Sequence, residues 1–277
     1  MTQSPAYTLD RSIKLEHFDN GRWRGATSID YANRVGPYGG WIAALLMKAI
    51  LDQKPLGEPL SLTVTFLGGC QDGPLDGTTR LLRRSRSNEH WTAEFSDQTG
   101  TMVAHAVATF GVRRPTVEIG IPAPPEPAMS PDQAPPRPNF GDSGPGFFRS
   151  YDYRQFVGKP FRVNETAKSR GWLKDADSRP LDYISLAAAA DAPMPRVFLR
   201  STTPTPIATM TMSVYFHATP EALAEAGGDY ILIDCDMRIG RAGFHDQIAT
   251  LWTASGKLLA TTEQIVWYNL KEDAGKA

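Results

Sequence analysis

A single carboxylate, Asp191, closes an apolar run that starts near Leu181 and includes Leu186 to Ala190, and Ala192-Pro193 follow it directly. Partial burial and the negative end of a helix dipole both disfavour the charged form of such an acid, which moves its pKa toward the range of a general base. A solvated Asp that merely ends a helix before a proline is the plainer alternative. A second candidate is Gly39-Gly40, which ends the turn Gly36-Pro37-Tyr38-Gly39-Gly40 and opens another apolar run. Glycines at a helix start let backbone N–H groups approach an oxygen on which negative charge develops, although the same pair can form only a tight turn. The basic strand Leu82-Arg83-Arg84-Ser85-Arg86 offers Arg83, Arg84 and Arg86, and the second half offers Arg238 and Arg241. Guanidinium groups suit phosphate oxygens, or simply a solvated strand face.

His17, His90, His105, His217 and His245 show neither metal-ligand spacing nor a neighbouring Ser or Cys elbow. No metal and no cofactor is expected. His217 is the histidine expected nearest a site, with packing at a strand end as the simpler role. Cys70 and Cys235 are far apart in strand-like surroundings and read as buried packing residues.

The elements that must position these groups fall into two similar sets. Prolines crowd between Pro115 and Pro145 with hardly any apolar period between them. Proline removes backbone donors and favours extended chain, so residues 115–146 read as a linker between units at 1–114 and 147–277. In the first unit, strand patterns at Ser12 to Phe18 and Trp23 to Ile29 precede a buried helix from Trp41 to Leu51, rich in Ala, Leu and Met. Strands follow at Leu60 to Leu67, Thr79 to Arg86, Trp91 to Ser96 and Met102 to Val112. The second unit repeats the order: strands at Phe148 to Arg154 and Lys168 to Leu173, a helix from Leu181 to Asp191, then strands at Ala208 to His217, Tyr230 to Ile239, Gln247 to Thr253 and Leu258 to Tyr268. Ser61 to Phe66 matches Thr211 to Phe216 in alternation, and the hairpins at Gly100 and Gly256 also correspond. A helix apolar on so wide a face is most economically wrapped by its own antiparallel sheet, and two such sheets can pair edge to edge. The expected class is therefore α+β, a double hotdog of two tandem repeats.

Lys+Arg 29 against Asp+Glu 30 leaves no long basic field for nucleic acid or an anionic membrane. No run approaches the ~20 apolar residues of a membrane helix, and Met1 to Asp10 lack a signal-peptide core, so a cytoplasmic protein acting on a small molecule is expected.

Ala208-Thr209-Met210-Thr211-Met212-Ser213-Val214-Tyr215-Phe216-His217, with Asp191 upstream and Gln264 downstream, resembles the TesB-type acyl-CoA thioesterases, the thioesterase II family of double hotdogs. Tyr38-Gly39-Gly40, Ser61 to Leu67 and the strand at Arg83 to Arg86 extend the likeness through the first repeat, so it spans nearly the whole chain outside the linker. The resemblance implies hydrolysis of an acyl-CoA thioester to acid and CoA, through a water held by Asp191, Thr209 and Gln264, with neither a metal nor a covalent intermediate. Thr211 is the alternative occupant of the Thr position. A hydroxyl and an amide both donate and accept, so they can fix a water's orientation, while a strand Thr or Gln is in general a solvent-facing residue. By hairpin count the first repeat has Ala108 where the second has Gln264, so the chemistry is expected in the second repeat alone. A homodimer or higher homo-oligomer of double-hotdog protomers is expected. Two other readings stay open, a hotdog enoyl-CoA hydratase or dehydratase and a non-catalytic acyl-CoA binding protein.

Overall fold

The computed structural model describes residues 7–120, 123–126, 129–137 and 144–270. Parts of the expected linker, 121–122, 127–128 and 138–143, lie outside the described residues, as do the two ends of the chain.

The first half runs α1 (Thr8–Ser12), β1 (Glu16–His17), β2 (Arg22–Ala26), α2 (Gly39–Leu51), β3 (Glu58–Phe66), β4 (Pro74–Arg84), β5 (Asn88–Asp97) and β6 (Met102–Gly111). The second runs β7 (Tyr151–Val157), β8 (Ser169–Asp175), α3 (Tyr183–Ala189), β9 (Ile207–Phe216), α4 (Pro220–Ala226), β10 (Ile231–Asp236), β11 (Gly240–Arg241), β12 (Phe244–Thr253) and β13 (Leu258–Tyr268). All the strands form one antiparallel sheet in the order β1-β2-β4-β5-β6-β3-β9-β13-β12-β10-β8-β7, with β11 paired to β12. Read outward from the β3–β9 seam, the two halves repeat one another strand for strand. The seam is in register from Ser61 opposite Tyr215 to Thr65 opposite Thr211, and it removes one exposed edge from each half. This is the double hotdog.

α2 is buried on nearly every side, with Trp41, Ala43, Ala44, Leu45, Leu46 and Met47 all inaccessible to solvent. The inner residues of β6, Ala104, Ala106 and Ala108, are small, which leaves room for this broad helix against the sheet. α3 packs against α2 through small groups as well: a Cβ on Gly40 would stand 2.3 Å from the Ala188 carbonyl oxygen. That oxygen accepts the Tyr38 hydroxyl at 2.7 Å, tying the start of α2 to the end of α3.

Three local expectations change. The segment from Ser12 is not a strand throughout; it ends the short helix α1, whose Leu9 and Ile13 bury one turn apart while Ser12 Oγ accepts the Trp41 indole at 3.0 Å. Only Glu16–His17 pair as β1. α3 is shorter than Leu181 to Asp191 because a capping box starts it late: Asp182 accepts from the Ser185 backbone at 2.8 Å, and Ser185 Oγ accepts from the Asp182 backbone at 2.9 Å. The helix also ends early, at Ala189, so Asp191 lies in the turn beyond it. A further helix, α4, which Thr219 caps and Pro220 opens, stands between the strands β9 and β10, where connecting chain is expected.

Candidate active site

Asp191 stands where the end of α3 meets the start of α2. Its Oδ1 accepts Gln264 Nε2 at 3.2 Å, and it also accepts the Gly40 backbone N–H from the first turn of α2. Gln264 Nε2 lies 3.5 Å from Met212 Sδ, its register partner across the β9–β13 pair. Burial raises the Asp191 pKa from its ordinary 3.8, the two donors draw it partway back, and it comes to about 7. No cation is among the causes, so the shift is set by desolvation against two neutral donors.

Gly39 lets this carboxylate come close. A Cβ there would stand 2.7 Å from Asp191 Oδ2 and 3.4 Å from the Phe66 ring. The two glycines do different work: Gly39 leaves space beside the carboxylate, whereas Gly40 gives it an N–H and lets the α3 backbone approach. Of the two amides considered for a developing oxyanion, that of Gly40 is engaged by Asp191 itself.

Strand register separates the two candidate threonines. Thr211 pairs with Ile265, which is 42% exposed, and with Thr65 across the seam, so it lies on the outer face of the sheet. The β9–β13 ladder then slips: Ile265 faces Thr211 but Val266 faces Thr209, leaving Met210 as the extra residue of a bulge. Directly opposed residues share a face, so Thr209 returns to the inner face beside buried Val266, one step along from Gln264. Asp191 and Gln264 are in contact, while Thr209 shares their face without a direct hydrogen bond to either.

Arg83, Arg84 and Arg86 lie elsewhere. Arg84 is held by Glu89, whose register partner Phe110 faces Pro59 at the start of β3, the opposite end of that strand from Phe66, roughly 20 Å away at strand rise. Arg83 and Arg86 are exposed at the same distant end. Arg238 pairs with Glu263 at 2.6 Å and Arg241 is exposed. His217, expected near the site, instead follows the far end of β9, where Nε2 meets Thr261 Oγ1 at 3.1 Å. Among the described residues no group of three or more His, Cys, Asp or Glu side chains is placed to hold a metal ion.

Two polar residues beside the site were not anticipated. Gln247 is 2% exposed and pairs in register with Gln264. Its Oε1 accepts Arg196 Nε at 3.2 Å, and Arg196, fully buried, also donates to Ser169 Oγ at 2.7 Å and the Ala167 carbonyl at 3.0 Å. Gln247 carried a signal, a polar residue opposite Gln264 by hairpin count. Arg196, which opens the 3-10 turn Arg196–Leu199 just after Pro193-Met194-Pro195, carried none. A cavity of about 190 Å³ bounded in part by Thr8, Asp30, Arg149 and Asp177 does not include Asp191, Thr209 or Gln264 in its wall.

The family model of the acyl-CoA thioesterase N-terminal domain matches residues 28–111, and that of the acyl-CoA thioesterase C-terminal domain matches residues 131–268. The chain belongs to the acyl-CoA thioesterase family. It is a thioester hydrolase. Among solved structures, a conserved hotdog-fold protein of unknown function from Alicyclobacillus acidocaldarius is 32% identical, with a TM-score of 0.90 over 96% of this chain and 99% of that one. The acyl-CoA thioesterase II TesB2 of Mycobacterium marinum shares the fold at 16% identity, with a TM-score of 0.73 over 96% of this chain and 100% of that one. The TesB protein of Mycobacterium avium subspecies paratuberculosis does so at 17% identity and a TM-score of 0.74, over 95% and 98%. No curated protein matches the sequence. In this thioesterase, Asp191, Gln264 and Thr209 fall within the C-terminal domain match and Gly39-Gly40 within the N-terminal one.

Proposed function

We propose that this thioesterase hydrolyses acyl-CoA thioesters with a water that Asp191 activates and that Thr209 and Gln264 orient. The observation that carries this reading is Asp191 itself, a desolvated carboxylate without a counter-cation, raised to about 7 and gripped by one side-chain amide and one backbone N–H. A base with that pKa is about half ionised at neutral pH and basic enough to take a proton in the transition state. The water oxygen attacks the thioester carbonyl carbon while its proton passes to Asp191. The tetrahedral intermediate then collapses with cleavage of the C–S bond, and the departing CoA sulfur takes up a proton to leave free acid and CoA. The amide of Gly39, first in α2, is the remaining backbone donor for the oxyanion, with the helix N-terminus favouring its charge.

Hydration chemistry is disfavoured on this scaffold because neither α2 nor α3 carries a histidine beside its acidic partner. Release of CoA thiol from a panel of acyl-CoAs tests the proposal. Turnover by the native protein that is lost in Asp191→Asn supports it; turnover retained in that variant refutes it. Acyl-CoA binding without turnover by the native protein would favour a binding protein instead.

A further inference from the structure

Among the described residues, Arg137 is a cation without an acid of its own. Its backbone N–H donates to the Tyr153 carbonyl at 3.1 Å, which ties this part of the proline-rich segment to β7. The guanidinium lies 4.1 Å from the centre of the Phe148 ring and 5.1 Å from that of Tyr153, and its Nη1 is buried with no hydrogen-bond acceptor. Asp152, the carboxylate whose field reaches it, is already taken by Arg154 Nη2 at 2.9 Å and by the Tyr230 hydroxyl. Ring faces compensate a buried guanidinium only in part, since five donors in a fixed fork match an anion's oxygens far better.

The surroundings connect this cation with the hydrolytic site. Phe148 meets Phe147 edge-on at 4.7 Å, and Phe147 stacks on Tyr38 at 4.2 Å with the rings nearly parallel. Tyr38 immediately precedes Gly39-Gly40 and feels the charges of both Asp191 and Arg137. Tyr151 packs edge-on against Tyr38 at 6.2 Å, and its hydroxyl is a second buried polar atom with no partner. An aromatic wall thus runs from the carboxylate that handles the thioester to a cation that has no carboxylate of its own among the described residues.

We propose that Arg137 receives an anionic group of the substrate, and that this group is a carboxylate at the far end of the acyl chain, so that the preferred substrates are CoA monothioesters of dicarboxylic acids. The aromatic wall suits the methylenes between thioester and carboxylate, while Arg137 Nη1, a buried donor with no acceptor, suits a carboxylate oxygen. A CoA phosphate has the same anionic chemistry, but the buried, ring-lined setting of Nη1 fits the end of an acyl chain better than a hydrated phosphate. This inference rests on the thioesterase reading for its substrate class.

The test compares ω-carboxyacyl-CoA with straight-chain acyl-CoA of matched length, each also as its phosphate-free pantetheine thioester, in the native protein, Arg137→Met and Arg137→Lys. For the native protein kcat/KM should favour the ω-carboxy substrate. Arg137→Met should lower that preference roughly 10- to 100-fold, the range expected for losing a hydrogen bond between charged groups, with partial recovery in Arg137→Lys. The preference should persist in the pantetheine series. An unchanged preference in Arg137→Met overturns the proposal, and so does a loss confined to CoA esters, which would assign Arg137 to a phosphate. If the native protein turns over none of these thioesters, the hydrolase reading fails. Calorimetric binding then decides the Arg137 proposal by itself: tighter binding of ω-carboxyacyl-CoA that Arg137→Met abolishes upholds it, and equal affinities overturn it.

Discussion

At equivalent places on the inner face of the sheet the two repeats present different rows. In the first, Trp91, Ala108 and Leu62 lie opposite one another across β5, β6 and β3. In the second, Gln247, Gln264 and Met212 occupy the same places on β12, β13 and β9. The acids differ in the same sense. Glu89 of the first repeat is fully buried, and burial alone would raise its pKa, but the Trp91 indole, the Leu56 N–H and Arg84 together outweigh it and hold the pKa below the ordinary value. Asp191 has two neutral donors and no cation, and its pKa is raised to about 7. A buried carboxylate with an arginine is a structural anion; one without becomes a base that can accept a proton near neutral pH. The duplicated scaffold supplies both environments, and the identity of a few neighbouring residues decides whether a buried acid is held as an anion or can take up a proton.

Removing the Asp191 carboxylate should break this contrast most completely. Asp191→Asn keeps the shape and is expected to lower kcat about 10²- to 10⁴-fold, the range for loss of a general base, measured by thiol release. The same change should stabilise the fold at alkaline pH. Because the folded-state pKa lies above the unfolded 3.8, the native state holds a proton that the unfolded state has lost, and stability falls as pH rises from about 4 to about 7. Relief of that penalty should make Asp191→Asn more stable by roughly 2 to 4 kcal/mol at pH 8 and equal to the native protein near pH 3, read from denaturant unfolding. Equal stability at pH 8 would show that Asp191 is better solvated than its surroundings imply.

Gly39→Ala and Gly40→Ala should separate access from architecture. A methyl on Gly39 presses on Asp191 Oδ2 and the edge of Phe66, both side-chain atoms that can give way, so the protein should fold while kcat/KM falls by about two orders of magnitude, consistent with a displacement of about 1 Å at a reacting group. A methyl on Gly40 meets the Ala188 carbonyl at 2.3 Å and the Tyr38 ring at 2.5 Å, so the α2–α3 contact itself must open and the melting temperature should drop. Similar losses of stability in the two variants would contradict the division of roles.

Gln264→Ala makes the second repeat resemble the first at Ala108. Activity should fall roughly 10-fold or more, in line with losing one hydrogen bond to a charged group. The pH profile is the sharper measurement. Native kcat/KM should rise with pH through about 7 as Asp191 ionises. Since the Gln264 amide favours the ionised form, its removal should move that limb to higher pH. A limb that stays in place or moves to lower pH would mean that Gln264 does not hold the carboxylate.

The element order, the duplication and the buried setting of Asp191 were legible because each rests on local pattern: apolar periodicity, turn glycines and an acid closing an apolar run. What was not legible depends on distant chain. Gly40 was read as an oxyanion donor, but its N–H faces an acid about 150 residues away, a contact that exists only once α2 and α3 pack. Ser12 onward alternates like a strand, yet the burial of Leu9 and Ile13 under Trp41 makes its first part the end of a helix. Arg84 looked available for phosphate because its partner Glu89 is brought to it only by the β4–β5 hairpin.

The choice between Thr209 and Thr211 carries the smallest expected effect and bears most directly on register. By simple alternation from Met212, Val214 and Phe216, which face inward, both threonines would face out and Met210 would face in. The bulge at Met210 moves Thr209 to the inner face beside Val266 and leaves Thr211 outside, opposite Ile265. Thr209→Val, nearly isosteric, should therefore lower kcat about 5- to 20-fold, the cost of about one net hydrogen bond. Thr211→Val should change kcat by less than about 2-fold, as expected of a surface position within ±0.5 kcal/mol. The opposite ranking in steady-state kinetics would mean that the β9 ladder runs without the bulge in solution, and Thr211 would replace Thr209 as the hydroxyl that orients the water.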